Sequence, residues 1–497
     1  MPQEIAVKYE TIIGLEVHAQ LLTKSKMYCR CSADYASAPP NTHVCPVCLG
    51  LPGVLPVINR QAVEFTMMTA LALNCPVSDY TKFDRKNYPY PDLMKGYQIS
   101  QYDAPIGQKG WLEIEIDGQT RRIGITRVHL EEDVAKLLHR SGPGGEDYSL
   151  VDVNRSGVPL MEIVGEPDLR SPEEARQYLI KLRSILQYLG VSTGNMEEGS
   201  FRCDANISLR PEGSTTYTAK VEVKNMNSFK AVYLAMEYEA KRQRRAMAEG
   251  KRLVQETRGW VEAEGKTVSQ RSKEYAHDYR YFPEPDLPPL VISRDWVEEV
   301  RARLPELPEA RRERFMKEYG LPVASSTQIT NSKGMADYFE ESVKSDKNVS
   351  PKEIINWLLG EASRIINANN IDIQEFRKKI EPAQTTRITK LNSEGVINTP
   401  TAKLVYMEMF NTGQSAEEII KQRGLTQISD TAQLEQTVLE VINSNAQPVA
   451  DYRAGKEAAL KFLVGQVMRA TKGRANPGLA SEVLKKKLAD LEAAGGE

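Results

Sequence analysis

The stretch ETIIGLEVHAQ at residues 10–20 carries the alternation of side chains that decides the fold. Within it, apolar Leu15 and Val17 alternate with Glu16 and His18. Because successive side chains of a strand point to opposite faces, this alternation predicts a strand with one apolar face. The other face of the strand then carries Glu16 and His18 side by side.

Further strands are predicted along the same part of the chain. Residues 111–129 alternate in the same way around Asp117-Gly118, a dipeptide typical of tight hairpin turns. Residues 201–209 and 217–225 have the composition of strands as well. Together these segments predict a mainly antiparallel sheet.

Helices separate these strands. Residues 171–190 begin with Ser171 as a capping residue and end at Gly190, which are typical start and stop signals of a helix. Residues 229–249 form a second predicted helix with a heavily charged outer face. Strands with few helices between them predict an α+β fold class, with a large N-terminal domain that ends near residue 292.

The sequence changes character beyond that point. Segment 281–290, YFPEPDLPPL, holds four prolines, which break regular structure and indicate a domain boundary. Beyond residue 295 the pattern is almost entirely helical and predicts small all-α bundles, with a weak boundary near residues 395–413. The predicted helices are 335–345, 351–369, 373–380, 384–394, 400–411, 415–423, 431–444, 449–473 and 477–494.

Composition excludes several classes of protein. The 497 residues include 65 Lys and Arg against 67 Asp and Glu, a formal net charge of −2. This balance excludes a globally basic nucleic-acid coat protein, but it leaves room for a local basic surface. No apolar run is long enough to span a membrane, and the N-terminus lacks the pattern of a signal peptide. We therefore expect a cytoplasmic protein that has no membrane partner.

Four of the six cysteines cluster in the spacing C-x-C-x13-C-x-x-C, at Cys29, Cys31, Cys45 and Cys48. Two closely spaced pairs of this kind predict a four-cysteine zinc site, because a tight turn aims two thiolates at one ion. Such a closed site is structural and leaves no open position for chemistry. His43 lies inside the loop as an alternative ligand, although a plain loop histidine is the simpler reading. Unliganded cytosolic thiols are the other alternative.

Acidic residues stand inside or directly after several strand-like stretches. Glu131 and Glu132 follow a predicted strand, while Glu162 interrupts the apolar run PLMEIV. Asp204 interrupts the strand-like FRCDANIS. Because an acid is costly to bury without a partner, these residues indicate either a cation such as Mg²⁺, which prefers oxygen ligands, or pairing with arginines near in sequence.

Cationic side chains are concentrated in the same domain, and four of them are candidate contacts for phosphate or substrate: Arg85, Lys86, Arg155 and Lys224. Phosphoryl transfer requires metal-binding carboxylates and cations over the phosphates, with little further covalent chemistry from the protein. The residues present match that requirement. A structural ion-pair role is an equally good reading of each of the four cations.

Taken together, these stretches resemble the B subunits of the aspartyl/glutamyl-tRNA amidotransferase family. The resemblance extends from residue 13 to about residue 470 and rests on long runs, which are more specific than any short pattern. The runs are IGLEVHAQL, KFDRKNYPYPD, YQISQYD, RVHLEEDVAK, DVNRSGVPLMEIV, EEGSFRCDANISLRP, VKNMNSF, DYRYFPEPDL, NWLLGE and FLVGQVM.

The resemblance implies a ligase that repairs misacylated tRNA. A member of this family binds Glu-tRNA(Gln) or Asp-tRNA(Asn) and uses ATP and Mg²⁺ to phosphorylate the side-chain carboxylate of the attached amino acid. Ammonia from glutamine, released by the partner glutaminase, then displaces the phosphate and forms the amide. A third, small chain joins the two larger ones in a heterotrimer. The sequence does not show which of the two tRNAs is the substrate.

The resemblance also implies the residues of the site. Glu16 and Glu132 are the foremost expected Mg²⁺ ligands, and Glu131 is the alternative to Glu132 because only one of these neighbours can face the site. Asn206 and Asn225 are expected near the ester end of the substrate. The whole set of expected catalytic and metal-binding residues is Glu16, His18, Glu132, Glu162 and Asp204.

Three domains follow from the resemblance: a cradle-shaped catalytic domain at 1–292, a helical domain at 293–405 and a tRNA-binding tail at 406–497. Within the tail, residues 452–487 carry nine basic residues against two acids, Glu457 and Glu482, which predicts salt-dependent contacts with an RNA backbone. The basic residues are Arg453, Lys456, Lys461, Arg469, Lys472, Arg474, Lys485, Lys486 and Lys487. A solvated helix face is the rival reading of the last three.

Two other functions compete with this one. The first is a non-catalytic tRNA-binding protein whose acids are structural, and the acids placed within apolar strands argue against it. The second is a zinc-dependent hydrolase, which four cysteines disfavour because they close the coordination sphere.

Overall fold

An eight-stranded sheet forms the centre of the first of two compact units, Met1–Pro308. The computed structural model describes residues 8–272, 279–425, 431–471, 475 and 477–494. The strand order in the sheet is β13-β12-β11-β10-β1-β9-β6-β5, and among the described strands β11 and β12 form the one parallel pair. The mainly antiparallel α+β fold predicted from the sequence is therefore confirmed.

The strands and their smaller sheets have these bounds. The strands are β1 Tyr9–Gln20, β2 Tyr80–Thr81, β3 Asp84–Asn87, β4 Tyr97–Ser100, β5 Gly107–Ile116, β6 Gln119–Glu132, β7 Lys136–Ser141, β8 Asp147–Asp152, β9 Pro159–Gly165, β10 Phe201–Pro211, β11 Val221–Lys224, β12 Glu256–Val261, β13 Lys266–Ser272, β14 Phe282–Pro283 and β15 Leu290–Val291. Three smaller sheets join β14-β3-β4, β15-β2 and β7-β8.

The strand predicted at residues 10–20 is the central strand β1. It pairs with β10 on one side and with β9 on the other, so that Leu15 and Val17 face a continuous apolar core. Glu16 and His18 lie on the opposite face. The alternation in the sequence thus predicted both faces of the strand correctly.

Two long helices cover the apolar face of the sheet. The helix predicted at 171–190 is confirmed: Ser171 caps its first turn, and Gly190 ends it in the left-handed conformation with a φ of 68°. Leu182 and Val232, one from each of the two helices, are fully buried in the same core. The helices of this unit are α1 Arg60–Ala72, α2 Pro172–Leu189, α3 Phe229–Ala248 and α4 Arg294–Ala302.

In the second unit, Glu309–Glu497, all the secondary-structure elements named among the described residues are helices. Helix α5, Pro308–Tyr319, begins at the last residue of the first unit. The helices are α5 Pro308–Tyr319, α6 Val323–Thr330, α7 Lys333–Ser345, α8 Pro351–Trp357, α9 Ser363–Asn369, α10 Ile373–Lys379, α11 Pro382–Ser393, α12 Thr399–Thr412, α13 Ala416–Arg423, α14 Thr431–Ser444, α15 Ala446–Arg453, α16 Glu457–Ala470 and α17 Pro477–Ala494, with a π-helical turn between α8 and α9.

The single helix predicted at 449–473 is wrong. Two helices occupy this stretch because Gly455, with a φ of 85°, adopts the left-handed conformation that ends α15. Helices α4, α5 and α6 were not predicted individually, since the prolines of this region obscure their periodicity.

Two hydrophobic cores lie in the second unit. One extends from Phe315 to Ile420 and the other from Leu434 to Leu488. The boundary predicted at residue 405 falls inside α12, whose buried Phe410 belongs to the first core. We propose that the tail begins after α13 instead. None of the described helices is long and apolar enough to cross a membrane.

Candidate active site on the polar face of the sheet

Strand pairing assembles a group of titratable side chains on the face of the sheet opposite the helices. His18 on β1 lies opposite Glu162 on β9, and Glu162 lies opposite His129 on β6. Directly paired residues of antiparallel strands project from the same face, so these three side chains meet. Glu131, two residues beyond His129 on β6, points the same way.

The four side chains form a cluster in which His129, Glu131 and Glu162 are buried and His18 is half-buried. His18 Nε2 lies 3.3 Å from Glu162 Oε2 and 3.6 Å from Glu131 Oε1. His129 Nε2 lies 3.3 Å from the same oxygen of Glu162. Glu131 is only 1% exposed and Glu162 only 6%. Ligand atoms of His18, Glu131 and Glu162 all lie within 4.8 Å of one another, close enough to share one cation.

Electrostatics keep Glu162 negatively charged. Burial by itself raises the pKa of Glu162, but His129 and His18 outweigh it and hold this pKa well below the usual value. Burial by itself lowers the pKa of His18, and the carboxylates of Glu162 and Glu131 outweigh it in turn and raise this pKa. Glu162 is therefore ionised at neutral pH and presents the hard oxygen ligands that Mg²⁺ prefers.

The two adjacent acids of β6 face different surroundings, and the structure favours Glu131 over the expected Glu132 as a ligand. The Glu132 carboxylate forms an ion pair with Lys95 and accepts a hydrogen bond of 3.0 Å from the amide of Ile99. Strand alternation turns it away from His18. Of the two neighbours, only Glu131 faces the cluster, and the choice of Glu131 over Glu132 as a metal ligand stays a prediction.

Glu16 and Asp204 lie opposite each other on β1 and β10. Glu16 Oε1 accepts a hydrogen bond of 2.9 Å from the side-chain amide of Asn206. Asp204 Oδ2 accepts one of 2.6 Å from Lys224 Nζ. Neither acid belongs to the group within 4.8 Å, so the structure brings His18 and Glu162 together and places these two beside them on the same face.

Two of the four expected cations face the acids of this sheet face. Lys86 Nζ lies 4.0 Å from Glu131 Oε2, and it also lies 5.3 Å from the ring centroid of Tyr279. Lys224 joins Asp204, as described above, and lies 3.3 Å from Glu222. Both therefore remain candidates for phosphate contacts.

The other two cations have structural partners, which disfavours the predicted phosphate contact. Arg85 donates two hydrogen bonds of 2.7 Å to the buried carboxylate of Glu284. Arg155 donates to the carbonyl oxygens of Val134 and Ala135 at 2.8 and 2.9 Å. Asn225, expected near the ester, is exposed and has a φ of 64° directly after β11.

His129 is the candidate functional residue that the sequence patterns did not identify. It is 2% exposed and contacts Glu162, as described above. The signal was present in RVHLEED, where Arg127, His129 and Glu131 alternate with Val128 and Leu130. His129 is the last residue of the predicted strand at 111–129, so its polar face could be read from that strand alone.

The four predicted zinc ligands also come together. Cys29, Cys31, Cys45 and Cys48 each offer a sulfur within 4.8 Å of the others, and His43 is not part of this group. The amide of Cys45 donates to Cys48 Sγ at 3.1 Å, which is the tight turn expected of a metal knuckle. Four thiols and no other donor fit a closed tetrahedral Zn²⁺ site. Beneath the loop, the fully buried Lys26 donates to the carbonyl oxygen of His43 at 2.8 Å.

The basic residues of the tail are partly neutralised. Lys487 pairs with Glu435 at 2.8 Å, and Lys456 pairs with Asp451 at 3.0 Å. Lys472 and Arg474 lie outside the described residues. The others are exposed, namely Arg453, Lys461, Arg469, Lys485 and Lys486.

Comparison with known proteins identifies the family of this chain. Residues 11–298 match the family model described as the GatB/GatE catalytic domain, and residues 337–488 match the one described as the GatB domain. Three relatives are named as the B subunit of aspartyl/glutamyl-tRNA(Asn/Gln) amidotransferase. The one from Dehalococcoides mccartyi is 61% identical over 489 residues, covering 97% of this chain and 99% of its own.

The other two relatives are similar over the same extent. The protein of Thermomicrobium roseum is 57% identical, with 97% of this chain and 99% of its own covered. That of Brevibacillus brevis is 54% identical, with 97% and 100% covered. On these matches, the chain belongs to the family of B subunits of aspartyl/glutamyl-tRNA amidotransferases.

Proposed function

We propose that this chain carries out the phosphorylation step of a glutamine-hydrolysing aminoacyl-tRNA amidotransferase. In the proposed reaction, a side-chain carboxylate oxygen of Glu-tRNA(Gln) or Asp-tRNA(Asn) attacks the γ-phosphoryl group of ATP, and ADP leaves. Ammonia then attacks the activated carbonyl carbon, phosphate leaves, and the product is Gln-tRNA(Gln) or Asn-tRNA(Asn). Activation is needed because a carboxylate is a poor acceptor for ammonia.

The observation that carries this proposal is the cluster of His18, Glu131 and Glu162. Its ligand atoms lie within 4.8 Å of one another, and both carboxylates are buried. Buried acids without a saturating set of cations require a compensating charge. Oxygen donors of this kind fit Mg²⁺, with Glu16 and Asp204 as further donors on the same face.

Each residue of the face has a proposed task. Bound Mg²⁺ supplies charge neutralisation for the transferring phosphoryl group. His18, Glu131 and Glu162 hold the ion, and His129 fixes the orientation of Glu162. Lys86 and Lys224 contact the phosphate oxygens or the substrate carboxylate. Two cations close to the carboxylates suit a reaction whose transition state spreads charge over phosphoryl oxygens.

We propose a structural role for the zinc site. Four cysteines fill a tetrahedral coordination sphere, so no position remains for a substrate. Zinc then stabilises the loop from Cys29 to Cys48 without taking part in the reaction.

The proposed partners follow from the name of the relatives, which places them in an assembly of several chains. The A chain of that assembly, a glutaminase, supplies ammonia, and a small C chain joins the two larger ones. The basic tail contacts tRNA in the cytoplasm. The nine basic residues of segment 452–487 suit contacts with RNA phosphates, which weaken as salt concentration rises.

A non-catalytic tRNA-binding member of the same complex is the alternative. The experiment that separates the two assays the purified complex with each misacylated tRNA, glutamine and ATP–Mg²⁺, with and without this chain. We expect ADP formation that depends on both the tRNA and this chain. ADP formation at the full rate by the partner chains alone, with tRNA supplied, would assign the chemistry elsewhere.

A further inference from the structure

Lys26 is a fully buried lysine that the proposed reaction does not use. Its exposed fraction is 0%, and within the described part of the chain it forms no ion pair with an aspartate or a glutamate. Burying an ammonium group without a negative partner is costly, because the charge loses its hydration. The position of Lys26 therefore requires a source of negative charge other than a directly paired carboxylate.

Lys26 connects the two halves of the four-cysteine site. Its backbone amide donates a hydrogen bond of 2.9 Å to the carbonyl oxygen of Cys31, in the first pair of cysteines. Its ammonium group donates one of 2.8 Å to the carbonyl oxygen of His43, two residues before the second pair. Another, of 3.3 Å, reaches the carbonyl oxygen of Val153. Lys26 is thus held by both halves of the site and by the segment that precedes β9.

The side chain of Lys26 also lies close to one of the thiols. A Cβ added at Gly157, which has a φ of 83°, would lie 3.6 Å from Cδ of Lys26 and 3.8 Å from Cβ of Cys48. The aliphatic stem of Lys26 and the side chain of Cys48 therefore border the same small space. Because Cys48 is buried as well, the two groups interact with little screening by water.

Glu132 borders the same space and is the rival partner of Lys26. The Cβ added at Gly157 would lie 3.8 Å from Oε2 of Glu132. However, Lys95 already forms an ion pair with this carboxylate, and the amide of Ile99 donates a hydrogen bond to it. Four thiolates on one Zn²⁺, in contrast, carry more negative charge than the ion neutralises. The loaded four-cysteine site is therefore the better match for the charge of Lys26.

We propose that Lys26 balances the charge of the zinc–thiolate centre and is a positioning residue of that site. The inference rests on the proposed zinc site and adds to it a residue outside the four ligands. An ammonium group has three N–H donors, so the carbonyl oxygens of His43 and Val153 leave one donor for a thiolate. Because the thiolates are assembled on zinc only in the loaded site, Lys26 favours that form over the empty one.

The first test measures the zinc affinity of the full chain by competition with a chelator. Lys26→Met keeps the aliphatic stem and removes the charge, while Lys26→Gln also keeps a hydrogen-bond donor. We expect both variants to bind zinc about 10–100-fold more weakly than the parent, the usual effect of removing a partner of metal ligands. Lys24→Met removes an exposed lysine two residues away and should leave the affinity unchanged.

The second test separates a charge effect from a purely structural one. Melting temperatures of the full chain are compared for Lys26→Met in the parent and in Cys45→Ser, which lacks the fourth thiolate. Substitution of Lys26 should lower the melting temperature of the zinc-loaded parent by about 2 °C more than that of Cys45→Ser. A lysine that served only the carbonyl oxygens of His43 and Val153 would cost the same in both chains. Lys26→Gln provides the same comparison if Lys26→Met does not fold.

Three results would overturn the proposal while the zinc site stands. Parent-like zinc affinity in both variants would show that Lys26 does not contribute to zinc binding. Parent-like affinity in Lys26→Gln alone would assign its role to hydrogen bonds instead of charge. Equal losses of melting temperature with and without Cys45 would make Lys26 a structural lysine. A parent chain that binds no zinc would overturn the zinc site together with this inference, and the proposed phosphorylation would be unaffected.

Discussion

Two charge clusters, one in each unit, differ in how tightly their partners are held. In the second unit, Arg311 donates hydrogen bonds of 2.6 Å to both Asp337 and Glu340. On the sheet face of the first unit, the contacts of Glu131 and Glu162 with histidines are 3.3–4.0 Å long. The acids of the second unit are thus closely paired with arginines, whereas Glu131 and Glu162 of the first unit are not.

The difference in contact length separates acids that stabilise the fold from acids that are candidates for ligand binding. Burial by itself raises the pKa of Glu340, but Arg314 and Arg311 outweigh it and lower this pKa to about 2. The partners of Glu162 are mainly histidines, which carry charge only when protonated. The permanent cations near these acids, Arg127 and Lys86, lie 3.8 Å from Glu162 and 4.0 Å from Glu131, farther than the 2.6 Å contacts of Arg311. The less fully paired carboxylates of the sheet face therefore keep more affinity for Mg²⁺ than the acids of the second unit.

The largest effect is expected from Glu162→Gln. The substitution keeps the shape of the side chain and removes the charge that holds the ion, so amidation of Glu-tRNA(Gln) should fall about 10³-fold, equivalent to about 4 kcal/mol. Initial rates in the complete complex check this. Glu166→Gln, an exposed acid four residues farther along the same chain segment, is the matched control. If Glu162→Gln and Glu166→Gln amidated Glu-tRNA(Gln) at equal rates, Glu162 would not be a residue of the active site.

The corresponding change in the cluster of the second unit should affect stability alone. Arg311→Met removes the arginine shared by Asp337 and Glu340, which keep Lys333 and Arg314 as partners, and should lower the free energy of unfolding by about 2–3 kcal/mol. Denaturant unfolding measures this change. Arg364→Met breaks a surface pair in the same unit and should cost less than about 1 kcal/mol. A large loss of ATP cleavage in folded Arg311→Met would contradict the division between the clusters.

A smaller effect is expected from the pH dependence of the same cluster. Because the pKa of Glu340 is lowered from 4.5 to about 2 in the folded state, its stabilisation is complete above pH 4.5 and is lost as pH falls toward 2. At pH 7 the free energy of unfolding of the parent chain should be about 2 kcal/mol higher than that of Glu340→Gln. Unfolding curves from pH 7 to 3 should converge on acidification. If the difference in free energy of unfolding between the two chains stayed constant over this range, ionised Glu340 would not be the source of the stabilisation.

The smallest effect on the reaction is expected from zinc removal. A closed four-cysteine site holds no substrate, so chelation followed by restored Mg²⁺ should change amidation by less than about threefold, or about 0.6 kcal/mol. Metal analysis before and after treatment shows whether zinc has been removed. Cys45→Ser should lower zinc content to near zero in the same assay. Complete loss of turnover in folded, zinc-free enzyme would give zinc a role in the reaction.

Much of the site was predictable because it rests on short-range patterns. Period-two alternation placed Glu16 and His18 on one face of a strand, and cysteine spacing predicted the thiol cluster. The choice between Glu131 and Glu132 was not predictable in the same way. It depends on where β6 ends and on Lys95, a residue distant in sequence that pairs with Glu132.

Partners distant in sequence also explain the other differences. Arg85 is held by Glu284, 199 residues away, so no local pattern could separate a structural arginine from a phosphate ligand. The boundary predicted at 405 falls within a helix because α12 has a weak pattern of its own, and burial of Phe410 depends on helices more than 30 residues earlier. Long-range packing, which a single sequence does not display, decides such cases.

The most direct test of the central claim is ADP formation by the complete complex carrying Glu131→Gln, measured with Glu-tRNA(Gln) and ATP–Mg²⁺ but without glutamine. This condition isolates phosphorylation from ammonia transfer, and a parallel tRNA-binding measurement shows whether the substrate still docks. We predict that tRNA-dependent ADP formation is lost while tRNA binding is retained. ADP formation at the parent rate would contradict the assignment of the polar sheet face as the phosphorylation site.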